Sequence, residues 1–174
     1  QVCPEGIEGL SGQTRKPVRL RGYDYGETGI YFVTVCTQQR RQLFWEPEPS
    51  MRSPVGAACG RPPLSYMGRL VEEEIIHMNT VYPGVSVENY VVMPNHVHLL
   101  IRICRTEAGR PQAAPTLSRV MNQFKGKATK RCGCPIWQKS FHDHIIRDEA
   151  DYLSRWTYIE TNPARRREDE YCEE

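Results

Sequence analysis

The stretch that decides the fold is VSVENYVVMPNHVHLLIRI, residues 85–103. It divides at Met93-Pro94-Asn95 into two apolar runs, residues 85–92 and 96–103. Two such runs, rich in β-branched residues and separated by a short proline turn, predict strands joined as a hairpin. Side chains alternate faces along a strand. Val97, Leu99, Ile101 and Ile103 therefore share one face, which can bury against a core. His96 and His98 share the other, close enough to ligate one divalent ion. Imidazole suits Zn, Mn, Fe and Ni better than Mg, and two histidines need further donors to complete a shell. A bare His-x-His is also compatible with two polar residues on a wet strand face, and the chain carries a second such pair in His142-Asp143-His144.

On the N-terminal side of the hairpin, residues 64–78 place Met67, Leu70, Val71, Ile75 and Met78 at three- to four-residue spacing. This predicts a helix with Glu72, Glu73 and Glu74 facing out, stopped by Tyr82-Pro83-Gly84. Residues 47–63 hold five prolines and read as a long loop or insertion. Residues 30–37 (IYFVTVCT) predict a strand, and residues 1–28, with four basic residues and no periodicity, a basic arm. On the C-terminal side, residues 104–115 read as a loop. Residues 116–131 predict an amphipathic helix with Leu117, Val120, Met121 and Phe124 on one side and basic residues at its end. Residues 136–147 predict a strand, and Asp148 caps a helix that Pro163 ends.

The order strand, helix, strand, strand, helix, strand, helix predicts an α+β fold, a ferredoxin-like antiparallel sheet with helices on one face. A single domain over residues 29–167 follows, flanked by the arm and by an acidic tail at 168–174.

A second signal lies in the last helix. At about 100° per residue, Tyr152, Leu153, Trp156 and Ile159 fall on one side. Asp151, Arg155, Tyr158 and Asn162 fall on the other. Tyr158 is thus expected to point away from the apolar stripe, with Asn162 one turn beyond it. A surface tyrosine and a helix-ending asparagine would give the same pattern.

Composition narrows the class. Apolar residues make up 39% and charged residues 25% of the 174 residues, as in globular proteins. No apolar run reaches the roughly 18–20 residues of a membrane helix. No basic-then-apolar leader opens the sequence as it stands. The seven cysteines are odd in number and include no CxxC pair, which argues against a zinc knuckle or disulfide framework and for reduced thiols in a cytoplasm. Net charge is only +2. Basic residues nevertheless cluster locally, which makes Arg21, Arg40, Lys125, Lys127, Lys130 and Arg131 candidates for contacts to a nucleic-acid backbone. Tyr23 and Tyr25 are candidates for stacking on unpaired bases.

These residues resemble a known family. Val92-Met93-Pro94-Asn95-His96-Val97-His98-Leu99-Leu100 is similar to the His-hydrophobic-His signature of single-tyrosine transposases. More narrowly, the chain resembles the REP-associated tyrosine transposases of bacteria. The likeness runs through Tyr31-Phe32-Val33-Thr34-Val35-Cys36-Thr37, Phe124-Lys125, Trp137-Gln138, His144-Ile145-Ile146-Arg147, Tyr158-Ile159 and Asn162-Pro163. It spans residues 17–167 apart from the two loops, and segments 47–63 and 168–174 depart from the pattern.

The resemblance implies His96 and His98 as metal ligands, Tyr158 as nucleophile and Asn162 at the place of a third ligand. It also implies a ferredoxin-like fold with the tyrosine on the C-terminal helix, and a divalent ion, Mg²⁺ or Mn²⁺. The implied activity is cutting and joining of single-stranded DNA at hairpin-forming palindromic repeats through a 5′-phosphotyrosine. The implied setting is bacterial, cytoplasmic and nucleoid-associated, as monomer or homodimer. Two other readings compete. Histidine-triad nucleotide hydrolases need a third alternate histidine, where this chain has Leu100. A transposase-derived hairpin-binding protein without catalysis would be expected to have lost Tyr158 or a histidine, and all are present.

Overall fold

The computed structural model describes residues 28–47, 63–104 and 116–164. The arm with Arg21, Tyr23 and Tyr25, most of the proline-rich segment and the acidic tail lie outside them. Strand β1 (Gly29–Cys36) leads through a short 3₁₀ turn (Gln38–Arg40) toward helix α1 (Tyr66–Val81). The hairpin follows as β2 (Val85–Val92) and β3 (His96–Ile103). Helix α2 (Leu117–Cys132), the short β4 (His142–Ile145) and helix α3 (Glu149–Thr161) complete the order.

The four strands form one sheet in the order β2-β3-β1-β4, and every neighbouring pair is antiparallel. Because β1 and β2 both run antiparallel to β3, they are parallel to each other with β3 between them. This is the split crossover of a ferredoxin-like fold, as the element order predicts.

One face of the sheet carries the main core. Tyr31, Val33 and Val35 of β1 and Val97, Leu99, Ile101 and Ile103 of β3 are buried against Val71, Ile75 and Met78 of α1 and Val120, Met121 and Phe124 of α2. Each fully buried aliphatic contributes roughly 1.5–3 kcal/mol. The row of four on β3 therefore fixes the register, since a slip of one residue would exchange the row for the histidine face. The expectation of helices on one face holds for α1 and α2. Helix α3 lies on the opposite face, where Ile159 packs with Phe32, Val91, Met93 and Leu100.

Local chemistry sets the helix ends. The Ser65 hydroxyl accepts from the Gly68 N–H at 3.1 Å and donates to the Leu43 carbonyl at 2.6 Å, tying the start of α1 to the segment after β1. Gly68 is where α1 crosses that segment, and a β-carbon there would stand 2.1 Å from the Phe44 carbonyl oxygen. Thr116 caps α2 and Gly133, at φ 74, ends it. Asp148 caps α3 by accepting from the Asp151 N–H, as predicted.

Two expectations need correction. Residues 136–147 do not form one strand. Only His142–Ile145 pairs along β1, after an isolated bridge between Thr37 and Trp137. The carbonyls of Gln138, Lys139 and Ser140 instead accept from Lys125 Nζ at 2.7, 3.0 and 3.4 Å, so an ammonium takes the place of a sheet partner. Glu74 does not face out but is buried, because α2 brings Arg131 against it at 3.1 Å. Among the described residues, no helix is long and apolar enough to cross a membrane.

Candidate active site

His96 and His98 sit on the face of β3 turned toward α3, and both are 0% exposed. A wet strand face is thereby excluded. Their Nε2 atoms stand 3.1 Å apart. His96 Nδ1 lies 2.7 Å from Asn95 Oδ1. That oxygen only accepts, so Nδ1 holds the proton and Nε2 presents its lone pair. His98 Nδ1 bonds the Thr34 hydroxyl at 2.8 Å, across the β1–β3 ladder that sets Thr34 opposite His98. Outer partners of this kind fix the orientation of metal-binding imidazoles.

The tyrosine arrives from α3. The Tyr158 ring centroid is 5.2 Å from that of His98 at 69°, and 5.8 Å from that of Phe32 at 79°. Phe32 in turn stacks on His98 at 5.2 Å and 21°. Asn162 is 2% exposed, and among the described residues neither Oδ1 nor Nδ2 has a hydrogen-bond partner. An unsatisfied buried amide costs ~1–3 kcal/mol.

The helical wheel places Tyr158 and Asn162 on the side away from the apolar stripe. In the structure the sheet-facing side of α3 combines residues from both sides of the wheel. Tyr158 and Asn162 face the sheet together with Ile159, Tyr152 and Trp156, while Leu153, assigned to the apolar side, is 55% exposed. The reason is physical. The sheet face beneath α3 is built from His96, His98 and Thr34 as well as Phe32 and Leu100, so polarity no longer marks the outside of the helix.

Whether these residues suit a divalent ion can be tested on the geometry. Two nitrogens 3.1 Å apart match neighbouring vertices of a coordination shell with metal–nitrogen bonds near ~2.1 Å. A buried amide without partners supplies an oxygen donor. The donor chemistry of His96, His98 and the buried Asn162 amide is compatible with a divalent ion. Among the described residues no group of three or more His, Cys, Asp or Glu side chains has metal-ligand spacing, so the second pair, His142 and His144, forms no rival centre. His144 instead donates to Asp151 Oδ2 at 2.7 Å.

The structure gathers His96, His98 and Tyr158, with Asn162 buried one helical turn beyond Tyr158. It does not gather the basic candidates. Lys125 binds backbone carbonyls, and burial pushes its ammonium below the usual lysine value. Arg131 pairs with Glu73 and Glu74. Lys127 Nζ stands 5.9 Å over the Tyr82 ring, and Lys130 is exposed. All four ride on α2, which packs on the sheet face opposite the histidines. Arg40 lies in the turn after β1, at φ 53, and that turn is tied to the Asn95 loop by the Thr37 N–H, which donates to the Asn95 carbonyl at 2.8 Å. Sequence reading missed Thr34, Asn95 and Phe32, which become visible only once the β1–β3 register is known.

A buried imidazole pair on a ferredoxin-like sheet, faced by a helix-borne tyrosine, is the arrangement of a single-tyrosine transposase. No family model matches the chain. It is 30% identical over 142 residues to the REP-associated tyrosine transposase of Escherichia coli K12, covering 81% of this chain and 70% of that protein. It is 27% identical over 168 residues to an uncharacterized protein of Haemophilus influenzae, covering 86% and 88%. Among solved structures it is similar to a REP-associated tyrosine transposase bound to a REP hairpin, at TM-score 0.58 and 25% identity, covering 85% of this chain and 73% of that one. The chain belongs to the REP-associated tyrosine transposases.

Proposed function

We propose that the protein is a metal-dependent single-stranded DNA endonuclease and strand transferase acting at hairpin-forming repeats through a 5′-phosphotyrosine intermediate. The observation that carries the reading is the placement of Tyr158 against His98, itself paired with His96, with a buried Asn162 amide one helical turn further on that has no partner among the described residues. The similar protein solved with a REP hairpin supports hairpin DNA as the substrate class.

In the first step Tyr158 Oη attacks the scissile phosphorus. The new O–P bond forms as the bond to the 3′ oxygen breaks, the phenol gives up its proton and the leaving oxygen gains one. The strand is left with a free 3′-hydroxyl and a 5′ end joined to Tyr158. Attack by another 3′-hydroxyl reverses the sequence and joins strands without ATP, since the phosphodiester is conserved. A Mg²⁺ or Mn²⁺ ion held by His96, His98 and Asn162 would polarise the phosphate and balance its charge. Phe32 holds the His98 ring flat beside the tyrosine, and Thr34 and Asn95 hold the imidazoles in register. Arg40, at the site end of β1, is the basic residue best placed to touch the DNA backbone. Lys127 and Lys130 would serve only DNA that wraps to the far face.

The test is denaturing electrophoresis of a labelled single-stranded hairpin incubated with protein and Mg²⁺ or Mn²⁺, beside Tyr158→Phe. A metal-dependent cut with protein on the 5′ end, absent in the variant, is expected. Tight hairpin binding without cutting under either metal would instead make the chain a DNA-binding module.

A further inference from the structure

Behind the tyrosine lies a set of charged groups that the reaction as written does not use. Arg155 is one turn before Tyr158 on the sheet-facing side of α3, where residues three apart are neighbours. Its guanidinium carbon stands 5.2 Å from the centroid of Phe32, the ring that also touches His98 and Tyr158. One aromatic side chain thus positions a cation, a nucleophile and a metal-ligating imidazole. Arg155 Nε faces Asp151 Oδ1 at 3.4 Å, and Asp151 Oδ2 accepts from His144 Nε2 at 2.7 Å. His144 reaches this position because β4 pairs it with Phe32, on the same sheet face as His98.

We propose that Arg155 is a catalytic cation that contacts the non-bridging oxygens of the scissile phosphate, and that Asp151 and His144 are positioning residues that aim it. The inference rests on the phosphotyrosine reading. Negative charge on those oxygens grows as Tyr158 attacks. A planar guanidinium with donors in a fixed fork suits them better than a point charge. Its remaining donors are available to a ligand, because Asp151 takes the Nε edge and Phe32 a face. The cation–π contact with Phe32 holds the guanidinium beside the ring that Tyr158 and His98 also touch. The His144–Asp151 pair explains why the guanidinium does not swing out to solvent, although its side chain is 35% exposed.

The experiment measures covalent adduct formation on the hairpin by wild type, Arg155→Gln, Arg155→Lys, Asp151→Asn and His144→Gln. Each is assayed on a normal phosphate and on a substrate with an uncharged methylphosphonate at the cut. On phosphate, Arg155→Gln is expected to lose about 100-fold in rate, in the range seen when one charge-stabilising donor is removed. Hairpin binding should hold within a few-fold, Arg155→Lys should recover part of the loss, and the methylphosphonate should narrow the gap between variant and wild type. Asp151→Asn and His144→Gln are expected to lower kcat by roughly 10- to 100-fold with KM little changed, as for a misplaced catalytic group. Equal rates for Arg155→Gln and wild type would overturn the inference. So would an equal loss on both substrates accompanied by a lowered melting temperature, which would mark Arg155 as structural. Absence of any adduct with the wild type would overturn the underlying phosphotyrosine reading, and this inference with it.

Discussion

Asn162 lies one helical turn beyond Tyr158, and its backbone N–H donates to the Tyr158 carbonyl at 2.9 Å. The asparagine keeps helical geometry at φ −55, ψ −42, so both side chains leave α3 toward the same sheet face. One carries the proposed nucleophile, and the other an amide that the fold does not use.

That relationship predicts opposite effects of one substitution. Asn162→Ala removes a buried amide without partners, so stability should stay level or rise by up to about 1 kcal/mol. Adduct formation should fall by at least ~10-fold if the amide oxygen is a ligand. Urea unfolding and the hairpin assay, run on the same preparation, test the two halves. A variant that loses both stability and activity would make Asn162 a structural cap.

Metal binding should register as stability. With Mn²⁺ at about one hundred times its Kd, the wild type gains ~2.7 kcal/mol, read as a rise in melting temperature. His98→Ala and His96→Ala should show no such rise. Thr34→Val, which removes the hydroxyl bonded to His98, should weaken the metal by roughly 10- to 100-fold. A metal response that survives either histidine substitution would rule the pair out as the site.

Gly68→Ala should be among the most damaging small substitutions. Its β-carbon would stand 2.1 Å from the Phe44 carbonyl oxygen, which is backbone and cannot rotate away. Helix propensity would favour alanine by ~1 kcal/mol. The overlap, however, demands a shift of α1 or of the segment after β1, for a net loss of ~1–3 kcal/mol or more. Thermal unfolding of the variant measures it, and an unchanged midpoint would show that α1 can retreat.

Asp151 gives a pH signature. Burial raises its carboxyl, but the hydrogen bond and charge of His144, a backbone bond from Arg147 and the charge of Arg155 outweigh it, leaving the group below its ordinary 3.8. A folded value below the unfolded one means that the unfolded chain binds more protons in that window, so stability rises with pH there. The contribution is complete above about pH 4–5 and fades as pH falls through the folded value. The stability gap between wild type and Asp151→Asn should therefore close as pH falls below about 4. A gap independent of pH would assign it to packing.

Lys125 offers a test of the basic face. Lys125→Met leaves three carbonyls without their donor and should cost about 1–3 kcal/mol. The slope of hairpin affinity against salt should not change, whereas removing a cation that binds a DNA phosphate would lower it by about one.

Much of the fold is legible in residues 85–103, because alternation and a proline turn leave few alternatives. β2 and β3 begin and end where that reading puts them, α2 follows from its apolar stripe to within a residue, and α3 from Asp148 as its cap. Residues 136–147 mislead because an apolar, aromatic composition does not reveal that Lys125, eleven residues upstream of Ile136, claims the carbonyls of 138–140. The orientation of α3 misleads for a related reason. An amphipathic wheel assumes an apolar partner, and here the partner surface contains two histidines and a threonine. His96, His98, Tyr158 and Asn162 are visible as residues, but Thr34 and Phe32 acquire meaning only from the register of two strands more than sixty positions apart.

The main core is closed by α1, α2 and the sheet, and no residue of α3 belongs to it. The main core therefore closes without α3, although β1 and β3 line both that core and the histidine face. Substitution of Tyr158 or Arg155 is expected to abolish the proposed cutting while leaving the main core folded. On the proposed function, single substitutions on α3 would turn a cutting enzyme into a hairpin binder with no folding crisis on the way.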